Sequence, residues 1–199
     1  MGAVVAQAVM SLDGYIAEDD HTIGRLFDWY SAGEVEVPTA KEEITLRLTP
    51  ASAAYVRGWL GELGALVCGR RLFDVVGGWD GRHPLDVPVV VLTHHPPEGW
   101  RPEAPFTFVT DGVAAAVARA QELAGTRTVA VTAGVVAAQC LQAGLLDEVA
   151  VDLVPVVMGT GRRFFPDLPA SAILLGDPTV CIPSTRVTHL RMPVLRRAG

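Results

Sequence analysis

Thr128 to Phe165, TVAVTAGVVAAQCLQAGLLDEVAVDLVPVVMGTGRRFF, constrains the fold more than any other stretch of this chain. β-branched residues open it, Thr132-Ala133-Gly134 make a small-residue turn, and a helix-like run continues to Ala143. A second apolar run, Glu148 to Met158, ends in Gly159-Thr160-Gly161-Arg162-Arg163. Strand, tight turn, helix and strand in that order read as a βαβ unit. Small residues at the turn let a ligand approach the backbone, and the free amides of a helix start attract phosphate. A nucleotide or a phosphorylated compound is therefore the first ligand class to consider.

The same alternation runs back along the chain. Ala3 to Met10 reads as a strand buried on both faces, because its apolar residues do not strictly alternate. Ser11-Leu12-Asp13-Gly14 is turn chemistry, and Tyr15 to Ala17 resume an extended chain. Residues 18–48 are irregular and predict a loop-rich excursion. Thr49-Pro50 predicts a helix start, Thr at the cap and Pro in the first turn, with the helix running to about Glu62. Ala65 to Cys68 is a short strand, from which Gly69-Arg70-Arg71-Leu72-Phe73-Asp74 opens a second helix that Gly77-Gly78-Trp79 ends. Strands follow over Val87 to Leu92 and Phe106 to Val109. Asp111 is placed to cap a helix carrying Val113, Ala116, Val117, Ala120 and Leu123 at helical spacing. Ala172 to Leu175 and Arg186 to Val194 read as closing antiparallel strands. Together these predict a single α/β domain over residues 1–199, with a central, mostly parallel sheet and flanking helices.

Composition narrows the function. Half of the 199 residues are apolar and 19% are charged, which speaks against disorder. A net charge of −6 argues against general nucleic-acid binding, which draws on a basic surface, so any anion site must be local. Asp152 and Pro155 interrupt the longest apolar run, and the N-terminus carries no basic region or cleavage pattern; no membrane span and a cytoplasmic protein are expected. Cys68, Cys140 and Cys181 each sit in an apolar run and are expected as buried, reduced thiols. His94 and His95 are adjacent, so their side chains diverge, and no set of ligands stands at metal spacing.

Gly134 stands alone, and Gly159-Thr160-Gly161 has no third Gly, so neither is the dinucleotide fingerprint or a Walker loop. Gly69-Arg70-Arg71 places two guanidiniums at a strand-to-helix junction, where acidic residues are normally favoured. That conflict is resolved if an anion is held there. Thr93 and His94 follow another strand end and offer hydroxyl and imidazole donors. Ser11, Asp13 and Asp28 are the candidate catalytic polar groups. Asp28 beside Trp29 is either a carboxylate in a half-apolar setting, suited to proton donation, or an ordinary surface carboxylate. A Ser-His-Asp hydrolase is disfavoured because no G-x-S-x-G elbow is present.

Taken in order, these pieces resemble the dihydrofolate reductase-like family that includes the riboflavin-biosynthesis reductase (RibD C-terminal) domain. Val9-Met10-Ser11-Leu12-Asp13-Gly14-Tyr15-Ile16-Ala17 is similar to its opening, Gly69-Arg70-Arg71-Leu72-Phe73 to its G-R-x-T-x-E segment, and Val89 to Thr93 to its V-x-x-[ST] strand end. Gly144-Leu145-Leu146-Asp147-Glu148 with Pro155…Gly159-Thr160-Gly161 resembles its A-G-L-[VL]-D-E…P-x-x-x-G-x-G. The resemblance implies NADPH as cofactor. It implies that Gly69, Arg70, Arg71, Leu72, Thr93 and His94 meet the phosphates and adenosine end. The family's Gly-Gly turn falls at Thr132-Ala133, or with a one-residue slip at Ala133-Gly134, ahead of Val135. Leu72 stands where the family often carries a phosphate-binding Thr. The zinc deaminase signature is missing from these residues, so the two-domain deaminase–reductase is not expected.

The expected activity is hydride transfer from NADPH to a small heterocyclic, carbonyl or imine substrate, similar to 5-amino-6-(5-phosphoribosylamino)uracil reductase or dihydrofolate reductase. Asp13 or Asp28 is expected to polarise or protonate the substrate, with solvent as the other proton source. A non-catalytic nucleotide-binding or flavin-binding module is the rival. The apolar terminal strands, and the family's habit, suggest a homodimer.

Overall fold

A computed structural model describes residues 1–99, 106–168 and 172–195. In chain order the strands and helices are β1 (Val4–Ser11), β2 (Tyr15–Ala17), β3 (Val35–Pro38), β4 (Thr45–Leu48), α1 (Pro50–Glu62), β5 (Leu63–Gly69) and α2 (Arg70–Val75). There follow β6 (Val89–Leu92), β7 (Phe106–Val109), α3 (Val113–Ala124), β8 (Thr128–Thr132), α4 (Val135–Gln142), β9 (Glu148–Val154), β10 (Arg162–Arg163), β11 (Val180–Ser184) and β12 (Val187–Pro193). Eight strands make one sheet in the order β11-β12-β9-β1-β8-β5-β6-β7. From β9 to β7 all neighbours are parallel; β12 runs antiparallel to β9, and β11 to β12. This is the expected α/β architecture.

Helices cover both faces. Ala116 and Ala120 of α3 and Ala137 and Cys140 of α4 pack on Val67, Val129 and Val131. Trp59 of α1 and Phe73 of α2 pack on the opposite face, against Leu66, Cys68, Val89 and Val91. Alternate residues of β5 thus serve opposite layers, which is why the strand reads as one continuous apolar run. Thr49 accepts the Ser52 amide at 3.3 Å, and Pro50 follows it, so α1 starts where the sequence predicts. Among the described residues no helix is long and apolar enough to cross a membrane.

Several local expectations are corrected. The excursion over residues 18–48 contains a 3-10 turn, Gly24–Ser31, and the β3–β4 hairpin, burying Leu26, Trp29, Val37 and Leu48. Short strands and a three-residue helical period leave no readable pattern. Gly112, with φ +92°, rather than Asp111 is the cap of α3, and no side chain caps it. Helix α2 ends at Val75, and Gly77–Gly81 form a 3-10 turn of their own. Of the expected strand over Ala172 to Leu175 only Leu175 pairs, in a single bridge to Val194. The edge strand is instead β11, masked in the sequence by Pro183, which an edge tolerates. Cys181 lies exposed on that edge, whereas Cys68 and Cys140 are buried free thiols whose pKa burial pushes up to about 12.

Candidate functional site

Helices α1 and α2 lie on one face of the sheet and α3 and α4 on the other. The connections leaving β5 and β8 therefore turn to opposite sides, although the two strands are parallel neighbours with Val67 beside Val131. Such a reversal opens a crevice beyond the carboxyl ends of the strands, the usual ligand position in an α/β sheet. Gly69 ends β5, and Thr132 ends β8.

The two turns meet. A Cβ added at Gly69 would lie 3.2 Å from Val136 Cγ2 in α4. Gly134, which caps α4 with φ +101°, has nothing nearer to such a Cβ than Ile16 Cδ1 at 4.0 Å. Its conformation demands glycine while the space beside it stays open. Among the described residues no side chain caps α4, so its first-turn amides remain for a ligand or water. The Gly134 amide itself donates to the Phe164 carbonyl at 2.8 Å, which lays the segment after β10 against this turn. Thr132, Ala133 and Gly134 are half-buried, and Val135 is exposed.

Arg70 and Arg71 diverge. Arg70 Nε donates to both Asp74 oxygens, at 2.7 and 2.9 Å, and its Nη1 donates to the His95 carbonyl. It thereby ties α2 to the loop leaving β6. Arg71 Nη1 instead reaches His21 Nε2 at 3.1 Å. Leu72 packs against the apolar layer beside Phe73. The Thr93 hydroxyl donates to the His95 carbonyl at 3.0 Å and accepts the His95 amide at 3.2 Å, so it shapes the turn, while His94 is exposed.

Of the two candidate acids, Asp13 stands beside the loop leaving β9. It accepts the Ser11 hydroxyl at 2.7 Å, the Met158 amide at 3.1 Å and the Gly159 amide at 2.7 Å. These bonds, the Ser11 hydroxyl foremost, lower its pKa to about 2. Asp28 accepts Arg25 at 2.7 Å and Arg186 at 3.2 Å, while neighbouring Trp29 is buried. A surface ion pair replaces the half-apolar setting raised by the Asp28-Trp29 sequence.

The sequence model of the RibD C-terminal domain matches residues 3–191. The chain belongs to the RibD C-terminal domain family. No curated protein matches it. Among solved structures, a protein assigned to riboflavin biosynthesis from Shewanella sp. PV-4 superposes with a TM-score of 0.65 at 24% identity, covering 98% of this chain and 100% of that one. The diaminohydroxyphosphoribosylaminopyrimidine deaminase/5-amino-6-(5-phosphoribosylamino)uracil reductase of Thermotoga maritima superposes with a TM-score of 0.64 at 14% identity. There the match covers 98% of this chain and 57% of the longer protein. Dihydrofolate reductase from Enterococcus faecalis, complexed with NADP(H), gives 0.58 at 15% identity, covering 98% and 96%. All three share the fold.

This RibD C-terminal domain also holds a polar group that sequence reading missed. His189 Nδ1 lies 2.6 Å from Asp152 Oδ1, and His189 Nε2 lies 2.9 Å from Ser52 Oγ. Ser184 accepts the Ser52 hydroxyl at 2.9 Å, and Gln7 donates to Asp152 at 3.1 Å. The spacing is that of a hydrolytic triad, but Ser52, Asp152 and His189 are all buried and Tyr55 stacks on the imidazole at 4.3 Å. A substrate has no access, so the group is structural. Its one sequence signal is Asp152, a carboxylate inside an apolar run.

Proposed function

We propose that this RibD C-terminal domain is an NADPH-dependent reductase acting on a C=N or C=O carbon of a small heterocycle, of the pterin or ribosylaminopyrimidine phosphate class. The observation that carries the reading is the meeting of the Gly69 and Gly134 turns at the ends of adjacent strands whose connections diverge. The residues present fit a dinucleotide: glycine where a Cβ would narrow the gap, an uncapped helix start, and cations at the rim.

In this reading Gly69, Arg70, Arg71, Thr93 and His94 take the phosphates and adenosine end, and the backbone of Thr132, Ala133, Gly134 and Val135 lies along the cofactor. When bound, NADPH supplies the hydride. The protein's part is to orient donor and acceptor and to exclude water. Leu12 and Val157 are large apolar side chains, 64% and 71% exposed, on segments joined by the Leu12 amide donating to the Val156 carbonyl at 2.8 Å. They offer an apolar wall to a flat heterocycle. Asp13, its carboxylate engaged by Ser11, Met158 and Gly159, holds this loop in place, and solvent delivers the proton.

Titration with NADPH and, in parallel, NADH, followed by nicotinamide fluorescence, tests the reading. Saturable NADPH binding that weakens in Arg70→Ala and Arg71→Ala supports it and opens a screen of oxidised heterocycles. Binding without turnover on any of them favours a nucleotide-binding module, and no saturable binding removes the reductase. A homodimer is the proposed assembly, since among the described residues β11 is an edge strand of the sheet; a monomer mass in light scattering would refute it.

A further inference from the structure

The loop after β2 carries His21, at φ +73°, to a point where two guanidiniums from distant parts of the chain converge. Arg71 Nη1 at the start of α2 lies 3.1 Å from His21 Nε2, and Arg162 Nη2 in β10 lies 3.3 Å from the same atom. Arg162 also donates to the Asp19 carbonyl at 3.0 Å. Among the described residues neither Arg71 nor Arg162 has a carboxylate within ion-pair distance, whereas Arg25, Arg70, Arg82 and Arg191 each do.

That arrangement is electrostatically incomplete. A ring nitrogen offers one lone pair, and each guanidinium carries five N–H donors, so one acceptor cannot satisfy both. Like charges brought together repel. Although Glu18, Asp19 and Asp20 precede His21 on the same loop, none of their carboxylates ion-pairs with either guanidinium among the described residues, so neither fork is charge-paired. The backbone nevertheless holds the pair. Gly161, with φ +134°, tucks so closely under Ala17 that an added Cβ would lie 2.3 Å from its carbonyl oxygen, which fixes Arg162 beside β2. Two residues on, the Phe164 carbonyl accepts the Gly134 amide, so the cluster stands next to the α4 turn.

We infer that Arg71 and Arg162 form a clamp for a phosphate or pyrophosphate group, which takes the place that His21 Nε2 takes here. A phosphate carries several acceptor oxygens and a charge near −2, so it can receive both forks at once. The phosphate belongs either to the dinucleotide or to a phosphorylated substrate. In both cases the clamp rests on the crevice being the ligand site, and it adds His21 and Arg162, which are 141 residues apart in sequence.

The test is calorimetric titration of the full chain at low salt with inorganic pyrophosphate, ribose 5-phosphate and NADPH. The proteins are the wild type, Arg71→Gln, Arg162→Gln, Arg162→Lys and, as control, Arg163→Gln, whose guanidinium sits over the Tyr15 ring instead. Pyrophosphate should bind the wild type and Arg163→Gln alike, weaken tenfold or more in Arg71→Gln and Arg162→Gln, and recover in part in Arg162→Lys. A parallel loss for NADPH assigns the clamp to the cofactor. Loss for ribose 5-phosphate with NADPH unchanged assigns it to the substrate. If NADPH fails to bind the wild type while pyrophosphate follows the expected order, the reductase reading falls and the clamp stands. Equal pyrophosphate binding in all five proteins, or none in the wild type, overturns the clamp.

Discussion

His189 Nδ1 lies 2.6 Å from Asp152 Oδ1 inside a layer that solvent does not reach, joining the antiparallel strand β12 to the parallel strand β9. The pair closes the polar requirement of α1 as well, because Ser52 bonds the other ring nitrogen at 2.9 Å. Removing His189 would leave a buried carboxylate supported, among the described residues, by Gln7 alone. His189→Ala should therefore cost about 3–5 kcal/mol in denaturant unfolding. Ser52→Ala leaves the buried His189 Nε2 without this partner and should cost about 1–3 kcal/mol, the penalty for an unsatisfied buried polar atom. A serine-directed fluorophosphonate should leave the native protein unlabelled; labelling at Ser52 would contradict the buried, structural role.

Asp13 links pH to the order of the loop beside the crevice. Its carboxyl is held near pKa 2, below the usual 3.8, so its contribution is full above about 3.8 and fades as pH falls through about 2. Hydrogen exchange at Met158 and Gly159 should stay slow at neutral and mildly acidic pH. Asp13→Asn should exchange there faster above about pH 3.8, with the difference shrinking as pH falls through about 2. An unchanged rate in that variant would mean that the loop is held by something else.

His83 works over a different window. Burial, beside the edge of Trp79 at 4.5 Å, pushes its pKa down from 6.5 to about 4. The unfolded chain takes up the proton first, so stability is full above 6.5 and declines toward pH 4. The loss across that window is on the order of 3 kcal/mol. His83→Gln should flatten the fall in melting temperature between pH 6.5 and 4.5, and an equally steep fall would sink the assignment.

Gly161 should resist substitution. An alanine there would place its Cβ 2.3 Å from the Ala17 carbonyl oxygen at a φ of +134°. Gly161→Ala should part β10 from β2 and speed amide exchange at Ala17, with little change at β5 or β8. Protection at Ala17 equal to the wild type would show that the close approach is not needed.

The central sheet was legible because burial on both faces writes long apolar runs into β1, β5, β8 and β9. The starts of α1, α2 and α4 were legible because Thr49-Pro50, Gly69 and Gly134 are local backbone requirements. The hairpin and 3-10 turn within residues 18–48 were not, since four-residue strands and a three-residue period carry too few repeats. Pro183 concealed β11, and the exposed face of that edge strand is also why Cys181 is not buried. At the site, the Gly69 and Gly134 turns and the Arg70-Arg71 pair could be named from the sequence, but not what each touches.

By itself, then, the sequence determined the alternation of the central parallel strands with their helices, the RibD C-terminal family and the small-residue turns, because these depend on neighbours a few residues apart. Tertiary structure alone decided that Arg70 reaches the His95 carbonyl while Arg71 shares His21 with Arg162, and that Asp28 faces the distant Arg186. It likewise brought Ser52, Asp152 and His189 together from three separate elements. The reason is physical: a side chain's charge partners and burial depend on strand order and on which face each helix covers, and no local pattern encodes either.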